Sequence, residues 1–118
     1  DGGGDLYIGD APPNKAGWSI NVSVLDQTGQ KMNKNLVLTN TAIASSGDTY
    51  RFLEWEGKRY SHIIDPRTGY PTTGIKSVTI ISPDAELSDA LATSVFVMGV
   101  TEGLALINEI NGKHPQAD

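Results

Sequence analysis

The chain has no cysteine, so neither a disulfide framework nor a thiolate metal centre is open to it, and cysteine usage says nothing of its redox compartment. Positive charge is also scarce. Nine Lys and Arg residues stand against fourteen Asp and Glu, for a net charge of -5 and a pI near 4.8, and the cations are scattered. That distribution argues against a nucleic-acid partner. Long apolar runs are missing too: the strongest, around Val95-Phe-Val-Met98, falls far below the roughly 20 residues that span a bilayer. No internal repeat, low-complexity tract, P-loop or spaced GxGxxG signature occurs. Gly2-Gly3-Gly4 before Asp5 reads either as a flexible end or as backbone that approaches a ligand closely.

What is present suffices for one core. A chain of 118 residues with 38% hydrophobic side chains is too short for two ordinary domains, so residues 1–118 are expected to form one unit. The first residues, Asp1-Gly-Gly-Gly-Asp5, carry no start Met, signal peptide or lipid-attachment Cys, and the last, Lys113-His-Pro-Gln-Ala-Asp118, are polar. Both ends read as cuts, with any targeting segment outside them. His114 in that tail reads as solvated.

Between Gly17 and Asp26, Trp18, Ile20, Val22 and Val24 alternate with small or polar residues, the pattern of a half-buried strand. Asp26-Gln-Thr-Gly29 supplies turn chemistry, and a second strand is predicted from Leu36 to Ile43, leading into a small-residue loop at Ala44-Ser-Ser-Gly-Asp48. Two β-rich runs, Tyr50 to Trp55 and Lys58 to Ile64, flank Glu56-Gly57 and predict a hairpin that delivers His62 at the end of its second strand. Ser77 to Ile81 is a further strand. Asp84 is placed to cap a helix from Ala85 to Met98 that stops at Gly99, and Thr101 to cap a second over Leu104 to Ile110, closed by Asn111-Gly112. Strands followed by paired helices predict an α+β fold, a mixed or antiparallel sheet covered by helices. Trp18 and Trp55, outside any basic context, read as packing residues.

Chemistry concentrates in two places. In His62-Ile-Ile-Asp-Pro-Arg-Thr-Gly69 an imidazole, a carboxylate and a guanidinium gather where a strand leaves the sheet, and loops at strand ends are common seats of function. In Ser88-Asp-Ala-Leu-Ala-Thr93, Asp89 and Thr93 are four residues apart on one helix face, two hard oxygen donors suited to Mg2+. Each residue also has a plain structural reading. His62 fits an outward strand position, Asp65 and Thr68-Gly69 fit a turn, and Arg67 fits either the surface or a fork for phosphate or carboxylate. Asp89 suits a helix start, Thr93 can back-bond within its helix, and two ligands alone do not complete a Mg2+ shell.

Together, Gly3-Gly-Asp5, Ser46-Gly-Asp-Thr-Tyr-Arg51, Lys58-Arg-Tyr-Ser-His-Ile-Ile-Asp-Pro-Arg-Thr-Gly-Tyr-Pro71 and Ser88-Asp-Ala-Leu-Ala-Thr93 resemble, in order and spacing, the FAD:protein FMN transferases of the ApbE family. The resemblance implies a Mg2+-dependent enzyme that moves the FMN half of FAD onto a Thr or Ser hydroxyl of an acceptor protein and releases AMP. Matched by motif, Asp89 and Thr93 correspond to side-chain Mg2+ ligands, with the Ala92 carbonyl as a neighbour of the ion. His62 corresponds to the histidine that assists transfer, and Ile63 to a flavin-contacting position, through its backbone, beside a wall shaped by Asp65, Arg67, Thr68 and Gly69. Family acceptors include flavin-carrying subunits of membrane redox complexes, and many members are periplasmic lipoproteins at the outer face of the bacterial inner membrane.

Departures from the family pattern accompany the likeness. An N-terminal portion that contributes much of the flavin pocket and a further Mg2+ ligand has no counterpart here, nor does the usual strand after the last helix. Thr49 with Tyr50 stands where an aromatic residue often follows Ser-Gly-Asp. This part by itself is expected to bind FAD weakly, to be inactive, and to need the N-terminal half as a partner. An FAD pyrophosphatase giving FMN and AMP, and a flavin-binding module without transfer, are the alternatives.

Overall fold

In a computed structural model, which describes residues 1–25, 28–48 and 51–113, the first strand is one the hydrophobic pattern does not announce. It is β1 (Leu6–Ile8), followed by β2 (Trp18–Leu25), β3 (Lys31–Leu38), β4 (Thr41–Gly47), β5 (Phe52–Trp55), β6 (Lys58–Ser61), β7 (Ile64–Asp65), β8 (Tyr70–Pro71) and β9 (Ser77–Ser82). Two helices close the order, α1 (Ala85–Met98) and α2 (Val100–Lys113). The fold is α+β, and all its strand pairs are antiparallel.

The centre is a three-stranded sheet in the order β1-β4-β9. Its middle strand, β4, contains the stretch Ala44-Ser-Ser-Gly47 that its composition marks as a loop. The expected single strand from Leu36 to Ile43 is instead two, divided at Asn40, whose φ of 48° lies in the left-handed region. The small residues have a packing role. Strand alternation points Ala42, Ala44 and Ser46 to one face and Ile43 and Ser45 to the other. Helix α1 lies against β4 and β9. It buries Ser88, Leu91, Ala92, Val95 and Phe96, while Ala42 and Ala44 are buried on β4. Small side chains on strand and helix let the two approach closely. At that contact the hydroxyls of Ser82 and Ser88 meet at 2.7 Å, satisfying two buried polar groups at once.

Across the sheet from α1, β2 and β3 form a separate two-stranded ribbon. Ile20, Val22 and Val24 alternate as predicted, and with Leu6 and Ile43 they line a cleft of about 350 Å³. Its other face carries hydroxyls and amides that bond across the strands, Ser19 to Asn35 and Ser23 to Asn33. Trp18 and Trp55 do not pack as expected. They are 49% and 63% exposed, although the Trp18 indole N–H donates to the Asp10 carbonyl.

The hairpin β5–β6 turns at Glu56-Gly57, both at positive φ, as a two-residue connection requires. Its second strand ends at Ser61, one residue short of His62. Asp84 caps α1, its carboxylate accepting the Leu87 N–H at 2.9 Å. Thr101 does not cap α2. The Gly99 carbonyl accepts the Gly103 N–H at 2.9 Å, so one glycine with φ 91° both ends α1 and starts α2. Asn111 and Gly112 remain helical rather than closing the helix. The predicted turn at Asp26-Gln27, the start of the hairpin at Tyr50, the Thr49 substitution and His114 fall outside the described residues.

Candidate active site

His62 lines a cleft of about 580 Å³ whose walls come from six parts of the chain: Gly3, Gly4 and Asp5, the end of β4, Arg51, the His62-Ile63 corner, Ser77 of β9, and Thr93 of α1. The glycine run is tied down locally, for Gly3 and Gly4 donate their N–H groups to the Asp1 carboxylate and hold φ of 89° and 121°. Only glycine adopts such angles freely.

The exposed imidazole is oriented by one contact. Nδ1 of His62 lies 2.7 Å from the Arg51 carbonyl oxygen. A carbonyl has no proton to give, so Nδ1 carries the hydrogen, and in the neutral ring Nε2 is left as an acceptor. The hairpin produces this arrangement. Phe52 pairs with Ser61, so the residues just beyond each strand end, Arg51 and His62, are neighbours.

Ile63 joins His62 in the cleft wall. Its N–H donates to the Ser61 hydroxyl at 3.1 Å, and its carbonyl accepts from the Thr72 N–H and hydroxyl at 2.9 and 3.3 Å. Both backbone groups are engaged within the chain.

The remaining residues of that segment build a turn and a strut. Thr68 and Gly69 both donate their N–H groups to the Asp65 carbonyl, and the Tyr70 N–H donates to the Thr68 hydroxyl. Arg67 does grip a carboxylate, but one of its own chain: Nε and Nη2 donate to Asp65 at 2.9 to 3.3 Å, and Nη1 to Glu102 of α2 at 3.3 Å. Nη2 also reaches the Val97 carbonyl. The side-chain hydrogen bonds from Arg67, followed by its backbone N–H, hold the Asp65 carboxyl below the usual carboxylate range, and Asp65 raises Arg67 in return. Asp65, Arg67 and Thr68 line a different cleft, of about 510 Å³, away from the His62 cleft.

On α1, Asp89 and Thr93 are exposed one turn apart, as the spacing requires, whereas Ala92 is buried against the sheet. Its carbonyl sits mid-helix, where the i to i+4 ladder uses it. The Asp89 carboxylate makes no hydrogen bond or ion pair with the described residues, and the Thr93 hydroxyl meets Ser46 at 2.9 Å. An oxygen-only pair of this kind, one member free of protein partners, fits part of a Mg2+ shell. Among the described residues no three His, Cys, Asp or Glu side chains gather into a metal cluster. Thr93 and Ile63 also border a third cleft, about 530 Å³, shared with Arg67 and Glu102.

The structure thus brings His62, Ile63 and Thr93 to one cleft, while Asp65, Arg67 and Thr68 line another and Asp89 lines neither. Ser45, Ser46, Arg51 and Ser77 also belong to the cleft. The first two lie in a stretch whose small residues signal a turn unless a helix packs on them.

Residues 1–115 match the ApbE family. The FAD:protein FMN transferase of Treponema pallidum is 40% identical over 96 residues, covering 80% of this chain and 26% of that protein. The Haemophilus influenzae protein of the same name is 35% identical, with 80% and 28% covered. The flavin transferase ApbE from Vibrio cholerae superimposes with a TM-score of 0.75 at 31% identity, over 91% of this chain and 34% of that one. The apo form of Pseudomonas stutzeri flavinyl transferase ApbE gives 0.74 at 32% identity, over 93% and 34%. The chain therefore spans about a quarter to a third of the length of these relatives, and over that span it belongs to the ApbE family.

Proposed function

We propose that these residues form the His62 and Asp89 side of a flavin transferase that moves FMN from FAD to a Thr or Ser hydroxyl of an acceptor protein. The observation that carries this is the meeting, on one cleft, of an imidazole with Nε2 free and Thr93 of a helix that also bears Asp89 one turn earlier.

In the transfer, the acceptor hydroxyl oxygen attacks the phosphorus on the FMN side of the pyrophosphate. A new P–O bond forms as the bond to the AMP oxygen breaks. Nε2 of His62 takes the hydroxyl proton, a role open to it because Nδ1–H is held by the Arg51 carbonyl. A neutral histidine in this tautomer can accept a proton at Nε2 and so act as a general base. Asp89 and Thr93 would hold Mg2+, which neutralises pyrophosphate charge when bound. Gly3 and Gly4 keep side-chain bulk out of the cleft beside the phosphates, and the Ile63 side chain gives an apolar wall to the flavin half.

The acceptor is of the kind carried by flavin-bearing subunits of membrane redox complexes, and the reaction belongs to the periplasm or outer face of the inner membrane. The rest of the flavin pocket comes from polypeptide that corresponds to the remaining length of the relatives.

The test supplies the intact protein with FAD, Mg2+ and a peptide carrying an acceptor Thr, and follows AMP together with peptide mass. A flavinylated peptide with stoichiometric AMP is expected. AMP and FMN without a change in peptide mass would assign hydrolysis instead, and FAD binding with no AMP would reduce the chain to a flavin-binding module.

A further inference from the structure

We propose that Ser46 is a positioning residue for the cation site: its oxygen accepts a hydrogen bond from the Thr93 hydroxyl, so that the Thr93 oxygen presents its lone pairs outward. This rests on the reading of Asp89 and Thr93 as Mg2+ ligands and names a residue of β4 that makes one of them competent.

The geometry is a hydroxyl pair across the contact of sheet and helix. Ser46 Oγ and Thr93 Oγ1 are 2.9 Å apart, and by position either could donate. A hydroxyl has one proton and two lone pairs. A threonine in a helix ordinarily turns that proton back to the carbonyl four residues earlier. The adjacent residue does so here, for Ser94 Oγ donates to the Ala90 carbonyl at 2.7 Å. Thr93 is turned instead towards the strand.

Register explains why Ser46 is the partner. On β4, Ser45 and Ser46 point to opposite faces, and each finds a hydroxyl: Ser45 meets Thr79 at 2.9 Å, on the ribbon side, and Ser46 meets Thr93 on the helix side. One residue of slip along β4 would leave Thr93 facing Ser45 or Gly47 positions on the wrong face.

A cation next to Thr93 Oγ1 repels a proton directed at it, so metal binding selects the one arrangement in which Thr93 donates and Ser46 accepts. Without the Ser46 oxygen, that proton returns to the helix carbonyl or to water and the ligand loses its fixed orientation. Groups that orient a metal ligand in this way commonly govern about 10- to 100-fold in metal affinity.

Mn2+ alone serves as the probe, its binding to the intact protein followed by the electron paramagnetic resonance of the free ion. Wild type, Ser46→Ala, Ser46→Thr, Ser46→Cys and Asp89→Ala are compared, with thermal midpoints recorded in EDTA. Ser46→Ala is expected to raise the Mn2+ Kd about tenfold, with little change in the metal-free midpoint. Ser46→Thr should restore affinity, and Ser46→Cys, near in size but a poorer acceptor, should fall between. Loss of binding in Asp89→Ala with wild-type affinity in Ser46→Ala would overturn the role of Ser46 while leaving the metal site in place. A lowered midpoint with unchanged affinity would do the same, by making Ser46 a packing residue only. Should Ser46→Ala fail to fold, wild-type affinity in Ser46→Cys overturns it. No Mn2+ uptake by the wild type, or uptake untouched by Asp89→Ala, would remove the metal reading itself.

Discussion

The Nδ1–H of His62 donates to the Arg51 carbonyl at 2.7 Å, across the open end of the β5–β6 hairpin. The hairpin register thereby decides which imidazole nitrogen is free. Replacing His62 with Ala is expected to slow FMN transfer by about 10²- to 10⁴-fold, the usual range for a general base. FAD affinity should change little, because the imidazole is exposed. Single-turnover AMP release beside an FAD fluorescence titration separates the two, and a variant that transfers at the wild-type rate would remove His62 from the chemistry.

Asp89→Ala takes away the one carboxylate of the proposed cation site while leaving α1 capped by Asp84. Mg2+-dependent AMP release should vanish, and the far-ultraviolet circular dichroism should not change, since Asp89 is exposed and has no partner among the described residues. Retained Mg2+ dependence would place the ion elsewhere.

Gly103 is where α2 crosses α1. A Cβ there would stand 2.6 Å from Val95 Cγ1, closer than packed atoms come. Gly103→Val is therefore expected to destabilise the protein by about 1–3 kcal/mol through overpacking. Urea denaturation measures it, and an unchanged midpoint would mean that the helices can separate freely at this point.

Asp65 and Arg67 tie the 64–71 turn to α2 through Glu102. The native Asp65 carboxyl titrates below its ordinary value of 3.8 because Arg67 hydrogen-bonds to its charged form. A depressed acid stabilises the fold above its unfolded pKa and loses that contribution as pH falls through the native one. The thermal midpoint of wild type should thus exceed that of Asp65→Asn at pH 6, with the gap closing below about pH 4. A gap that persists unchanged to pH 2 would show that hydrogen-bond geometry, not charge, is what Asp65 supplies.

Much of this could be read along the chain because the deciding interactions are local. Asp84 caps α1 with a carboxylate three residues from the N–H it accepts, and Glu56-Gly57 turns a hairpin with φ values few residues adopt. The four-residue spacing of Asp89 and Thr93 needs only helical periodicity to put both on one exposed face. The same local rules misplaced Ala44-Ser-Ser-Gly47. Small residues favour turns in isolation, yet here they form the central strand, since a helix bearing Ser88 and Ala92 requires a shallow surface beneath it.

Sequence by itself therefore determined the α+β order, the main helix and its cap, the hairpin before His62, and the family to which these motifs point. Tertiary structure alone decided which of the marked residues share a cleft. It turned Arg67 inward to Asp65 and Glu102, spent the backbone of Ile63 on Ser61 and Thr72, and set Ser46 against Thr93, 47 residues away. The physical reason is range. Caps, turns and periodicity are settled within a few residues, whereas the partner of a hydroxyl or a guanidinium depends on strand register and helix packing, which no short stretch of chain contains.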